Sequence, residues 1–220
     1  MKRLAVSLIL LMSFCAAWAD SPLVPDVPKD FFPGEISIGA GPVFGEIGGL
    51  KDAGYFMNRY TAKGSGVQFS LQYSEAFRWK SYKSESVFLS LSALYNLMQD
   101  PRVEVDGLED GKDSRNSTFG EFMFLTGVMY KFNPTDIYLA GRFGFGSFYF
   151  SFPASGSSGY TDLGISLQAE AGKHIRVYDN WKLGIGVSYN ATLVVRGGFI
   201  GSKYSSSRYG ANLSMIYELE

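Results

Sequence analysis

The sequence predicts an all-β fold: an antiparallel, up-and-down transmembrane barrel of about eight strands that follows a cleaved leader. Three observations predict it. Segments across 35–219 alternate apolar with small or polar residues at a period of two, the repeat of an extended strand with two unlike faces. No stretch beyond the leader offers a run of about eighteen apolar residues, so no helix is set up to cross a bilayer. Aromatic residues make up 16% of the chain and gather at strand ends, as in an interfacial girdle.

The elements follow in order. Lys2 and Arg3, the apolar run Leu4 to Phe14, and Ala17-Trp18-Ala19 read as a signal peptide over 1–19, too short to span a membrane. Pro22, Pro25, Pro28 and Pro33 make 20–34 an extended lead-in. The barrel domain then occupies 35–220. Its first strand is expected at 35–47, with a bulge at Pro42 or a weak strand there, because proline has no N–H for a ladder. A loop over 48–64 precedes a second strand at 67–74. The aromatic-basic stretch 75–85 reads as a long connection, out of step with the other turns on its side. The third strand lies near 86–97 and the charged stretch 99–118 is a surface loop. Within it Asp106 to Gly111 imitates a calcium loop, but Leu108 and Ser117 stand where ligands are needed. The fourth strand runs 119–132 and turns at Asn133-Pro134-Thr135-Asp136. The fifth runs 136–150, and a Ser/Gly loop follows to Tyr160. Strands six and seven fill 162–193 around an Asp179-Asn180 turn, and a loop over 196–207 leads to the last strand.

Alternation leaves open which face is inside. Three features place the apolar face outward: the other face is rich in Gly, Ser and Asn, Lys and Glu are scarce within the strands, and aromatics collect at strand ends. The lumen then receives Gln68, Gln72, Arg142, Gln168, Glu170, Asn190 and Asn212. A buried charge needs a partner, so Arg142 and Glu170 on adjacent strands are expected in one polar network. Strand four is apolar on both faces, and with Phe88 and Leu94 it makes part of the lumen greasy. Trp79, Tyr82, Tyr178 and Trp181 are the expected interfacial aromatics.

Composition excludes several functions. Cys15 lies in the leader, so the processed chain has neither disulfide nor thiol chemistry. Of 20 basic side chains two, Lys2 and Arg3, leave with the leader, and 18 against 21 acidic ones gives no reason to expect nucleic acid. A single histidine, His174, rules out a histidine metal cluster. It is expected at a strand end near the interface. Gly39-x-Gly41, Gly144-x-Gly146 and Gly184-x-Gly186 lack the third glycine of a dinucleotide fingerprint and sit in strands, where they relieve crowding. No catalytic residue, cofactor or metal is expected.

Segments such as YKFNPTDIYLAGRFGFG and HIRVYDNWKLGIGVSYN resemble the small outer-membrane β-barrel proteins of the opacity, OmpX and OmpA-barrel type, over roughly 35–220. The resemblance implies an outer-membrane location in a Gram-negative envelope, with outer-membrane lipid as the surrounding partner. Short connections after strands four and six, against longer ones after strands one, three, five and seven, place both termini on the periplasmic side. Lipid A deacylases of similar size use a His-x-Ser pair, whereas Ile175 and Arg176 follow His174 here. The expected role is structural or surface-interacting. Contacts to an extracellular ligand or surface would run through 48–64 and 99–118, on a monomer with a filled lumen. A narrow, porin-like conduit for small or hydrophobic molecules is the alternative, and a lipid-modifying enzyme comes third.

Overall fold

The computed structural model describes residues 34–51, 59–79, 82–99, 102–105, 108–109, 118–132, 135–152, 157–160, 163–194 and 204–219. The leader and residues 20–33 of the lead-in lie outside them, as does most of the calcium-like stretch. Eleven strands occupy the described residues: β1 (Gly34–Lys51), β2 (Arg59–Trp79), β3 (Tyr82–Gln99), β4 (Arg102–Val105), β5 (Leu108–Glu109), β6 (Thr118–Phe132), β7 (Ile137–Phe152), β8 (Ser157–Tyr160), β9 (Gly164–Tyr178), β10 (Trp181–Val194) and β11 (Tyr204–Leu219).

Eight of these close a barrel in the order β1-β11-β10-β9-β7-β6-β3-β2, and β2 returns to β1. Every pairing is antiparallel. Closure leaves none of the eight with a free edge, the condition for a sheet to sit in hydrocarbon. Pairing between β1 and β11, the first and last strands, closes the ring from Gly34↔Leu219 to Gly48↔Ser205.

The turns follow the sequence closely at two places. Thr135 N–H donates to the Phe132 carbonyl at 2.9 Å, and Asp136 adopts a positive φ of 53° before β7 begins. Asp179, with φ of 27°, and Asn180 make a two-residue connection between Tyr178 and Trp181, which face each other.

Four expectations are corrected. The long connection at 75–85 is mostly strand. β2 runs to Trp79, β3 starts at Tyr82, and these two residues face each other across the ladder. A register shift between Ala76 and Arg78 breaks the alternation there; a one-residue slip exchanges the two faces and makes a strand read as a loop. The loop at 48–64 is likewise largely ladder, with Leu50↔Tyr60 and Lys51↔Arg59 paired beyond an irregularity after Ile47. The stretch 99–118 contains β4, which continues along β2 from Lys63↔Arg102 to Tyr60↔Val105, and β5, which folds back on β4. Pro42 makes no bulge. It stays in register opposite Val67, and the pairing with β11 resumes at Val43↔Gly210 without a shift.

The two faces differ as strongly as the alternation requires. Ile38, Phe143, Phe145, Val187 and Leu213 are each more than half exposed on the outer wall. Turned inward and buried are Gln68, Ser74, Ser90, Asn96, Glu121, Lys131, Arg142, Gln168, Asn190 and Arg208.

Candidate functional site: a bridged lumen

Polar side chains cross the lumen at three levels. At the short-turn end, Glu35, the second residue of β1, receives the ammonium groups of Lys131 from β6 and of Lys182 from β10, the latter at 3.3 Å. Lys182 also meets Glu218 at 2.5 Å. One carboxylate thus joins three strands that are not neighbours, as a buried charge requires. The Lys131 ammonium also lies 4.3 Å from the centre of the Phe88 ring, a favourable place for a cation.

At mid-barrel Arg142 of β7 uses all of its nitrogens. Nε donates to Ser90 Oγ at 2.9 Å, Nη1 to Gln168 Oε1 at 2.7 Å and Glu170 Oε2 at 2.5 Å, and Nη2 to Gln72 Oε1 at 2.8 Å. The last bond reaches three strands round the ring. Tyr138 extends the cluster by donating its hydroxyl to Glu170 Oε1 at 2.8 Å. Its ring leans over Gly172 and Gly186, its neighbours in register, where an added Cβ would lie 2.7 Å from Tyr138 atoms. These glycines make room for an aromatic ring.

Toward the loop end, Glu121 of β6 and Arg208 of β11 face each other across the full diameter, 2.7 Å apart. Glu121 also accepts from Asn96 Nδ2 at 3.1 Å and Ser206 Oγ at 2.9 Å. Phe119, Phe148 and Met98 are fully buried. Between the charged levels Asn190 donates to Gln68 at 3.0 Å and Asn212 to Ser70 at 3.2 Å. Leu94, Met123 and Leu125 form one buried apolar cluster, and Ala76, Phe88, Met129, Tyr138 and Ala140 form another.

The seven polar residues anticipated for the lumen therefore divide into separate contacts. Arg142, Gln168, Glu170 and Gln72 share one network, Asn190 joins Gln68, and Asn212 joins Ser70. Among the anticipated aromatics, Tyr178 and Trp181 are exposed at the short-turn end, and Trp181 stacks on Tyr217 with ring centres 5.0 Å apart. The side chains of Trp79 and Tyr82 lie outside the described ones. His174 lies at the level of the short turns, its backbone N–H reaching the Asp136 carbonyl, but its side chain points inward, 6% exposed, with its ring centre 4.6 Å from that of Tyr138 and Nδ1 4.0 Å from Glu35 Oε2. The space it borders, about 10 Å³ between Glu35, Tyr138, Glu170 and Asn212, is the size of one water and admits no lipid.

Glu35, Lys131, Lys182, Tyr138, Glu121 and Arg208 were not anticipated. The phase of the last strand carried the signal for Arg208, since counting back by twos from Asn212 reaches it. Strand four, apolar on both faces, gave no phase from which to place Glu121 and Lys131 inward. Among the described residues no group of three or more His, Cys, Asp or Glu side chains is placed to hold a metal ion.

No protein-family model matches the chain, and neither does any curated protein sequence. Solved structures do. Neisserial surface protein A superposes with a TM-score of 0.52 at 11% identity, over 84% of this chain and 97% of that one. This is the fold of the small outer-membrane β-barrels. Two further outer-membrane barrels of this kind are similar at lower scores. OprG of Pseudomonas aeruginosa has a TM-score of 0.47 at 14% identity, over 86% of this chain and 97% of its own. Ail of Yersinia pestis has 0.43 at 20% identity, over 83% and 99%.

Proposed function

We propose that the protein is an integral outer-membrane barrel, exported by its leader, whose lumen is closed by its own side chains and whose work is done by its wall and outer rim. The observation that carries this reading is the opposition of faces. A continuous apolar outer wall of this extent is untenable in water, where exposed apolar patches rarely exceed a few hundred Å². In lipid it is the required surface. The inward face meanwhile ties opposite walls together at three levels, so neither a water-filled pore nor a substrate pocket is supported. His174, the one histidine available as a base, is enclosed beside Glu35, which supports a non-enzymatic role.

Surface interaction would fall to the rim where β1, β2, β4 and β5 extend the sheet past the closed barrel. Replacing residues 102–116 by a short turn is expected to alter cell-surface behaviour while leaving the heat-modifiable, folded barrel intact. Loss of folding, or unchanged surface behaviour, would count against that assignment. Planar-bilayer recording tests the closed lumen: silence is expected, and reproducible unitary currents would favour the narrow conduit. That second reading draws on one feature, the poor hydrogen-bonding geometry of the Glu121–Arg208 bridge.

A further inference from the structure

On the outer wall, β9, β10, β11 and β1 frame a recess of about 550 Å³. Its floor is low: Ala171 and Ala211 point outward on either side of Val187, and Ala40 lies beyond, whereas positions around them carry Leu139, Tyr189 and Tyr209. Ile185 and Leu213 line it. At one end stands Lys173, exposed on the same outward face and opposite Ile137, the first residue of β7. That register sets Lys173 at the level of the short turn before β7, on the side where Trp181 and Tyr217 stack.

Charge is scarce on this face, and elsewhere it is accommodated. Glu46 and Lys63 face each other at the loop end, and Glu75 accepts from the Tyr73 hydroxyl. Among the described residues the Lys173 ammonium has neither an ion pair nor a hydrogen bond. A lysine bordering hydrocarbon carries its ammonium along its own stem to the headgroup level. There the anion a bilayer supplies is the lipid phosphate. An apolar recess ending at an uncompensated cation complements a lipid with an acyl chain below a net-negative headgroup.

We propose that this recess seats one anionic phospholipid of the periplasmic leaflet, with an acyl chain over Ala171 and Ala211 and its headgroup at Lys173. The proposal rests on the reading of the outer wall as lipid-facing. It goes further in claiming that one position on the wall selects a lipid by charge and retains it.

The test is native mass spectrometry of the full chain released from nanodiscs of equimolar phosphatidylglycerol and phosphatidylcholine, with heat-modifiable gel mobility as the folding control. The wild-type barrel is expected to carry one retained lipid with a several-fold preference for phosphatidylglycerol. Lys173→Gln should reduce that preference to parity, and Lys173→Arg should keep it. Ala211→Phe should lower retention of both lipids by filling the recess; if it fails to fold, Lys173→Gln decides alone. Equal retention by the wild type, no retained lipid, or a preference that survives Lys173→Gln overturns the proposal. A chain that does not enter nanodiscs and remains soluble without detergent overturns the lipid-facing reading itself, whereas an inserted barrel without preference overturns the lipid site alone.

Discussion

Arg142 and Arg208 both end inside the barrel, 3% and 0% exposed, yet their guanidinium groups keep different company. Arg142 donates to two amide oxygens, a hydroxyl and a carboxylate. Arg208 lies within ion-pair distance of Glu121, but its Nε, Nη1 and Nη2 meet no acceptor in hydrogen-bond geometry among the described residues. The Glu121 end of that pair is the better served, since Asn96 and Ser206 both donate to it. Two equally buried cations thus differ in how many partners share the load. A charge spread over several acceptors survives the loss of one; a charge facing a single carboxylate does not.

Mutations should separate the two, measured as urea unfolding of the barrel in lipid vesicles. The largest loss is expected for Glu121→Ala, about 3–5 kcal/mol, because Arg208 is left buried without a counter-charge. Adding Arg208→Met to that change should recover much of the loss. A silent Glu121→Ala would show that the upper bridge does not hold the barrel. Next comes Glu170→Ala at roughly 1–3 kcal/mol, since Arg142 keeps Gln168, Gln72 and Ser90. Replacing Arg142 and Glu170 together by neutral residues should cost less than Glu170→Ala alone, and two silent single changes would break the pairing. Gly186→Ala should cost about 1–3 kcal/mol by driving a methyl group toward the Tyr138 hydroxyl and away from its bond to Glu170. If it matches wild type, the ring moves freely and the mid-barrel cluster is looser than the comparison holds. The smallest effect, about 0.5–1.5 kcal/mol, is expected for Trp181→Ala, which loses the stack on Tyr217 outside both clusters.

The turn at Asp179-Asn180 and the phases of β9, β10 and β11 were legible because alternation runs through them with little interruption. The hairpin end of β2 and β3 was not, since the shift between Ala76 and Arg78 inverts the phase and disguises a ladder as a loop. The rim extensions were hidden for a related reason: Gly48 and the irregularity after Ile47 look like a chain leaving the sheet, whereas pairing resumes at Leu50↔Tyr60. Burial of His174 was missed because it neighbours an exposed turn in sequence. Its backbone N–H in fact reaches the Asp136 carbonyl of an adjacent hairpin.

Local order along the chain was enough to specify extended strands, the number that close the barrel, and which side of most strands is apolar, because a period of two is a property of neighbours in sequence. Partnership across the lumen is a property of closure. Glu35 meets Lys131 from 96 positions away, and Glu121 faces Arg208 because β6 and β11 stand four strands apart on a ring of eight. Nothing in the spacing of those residues encodes the meeting. The register of the closed sheet sets their heights, and a low-dielectric interior turns equal height into obligatory pairing.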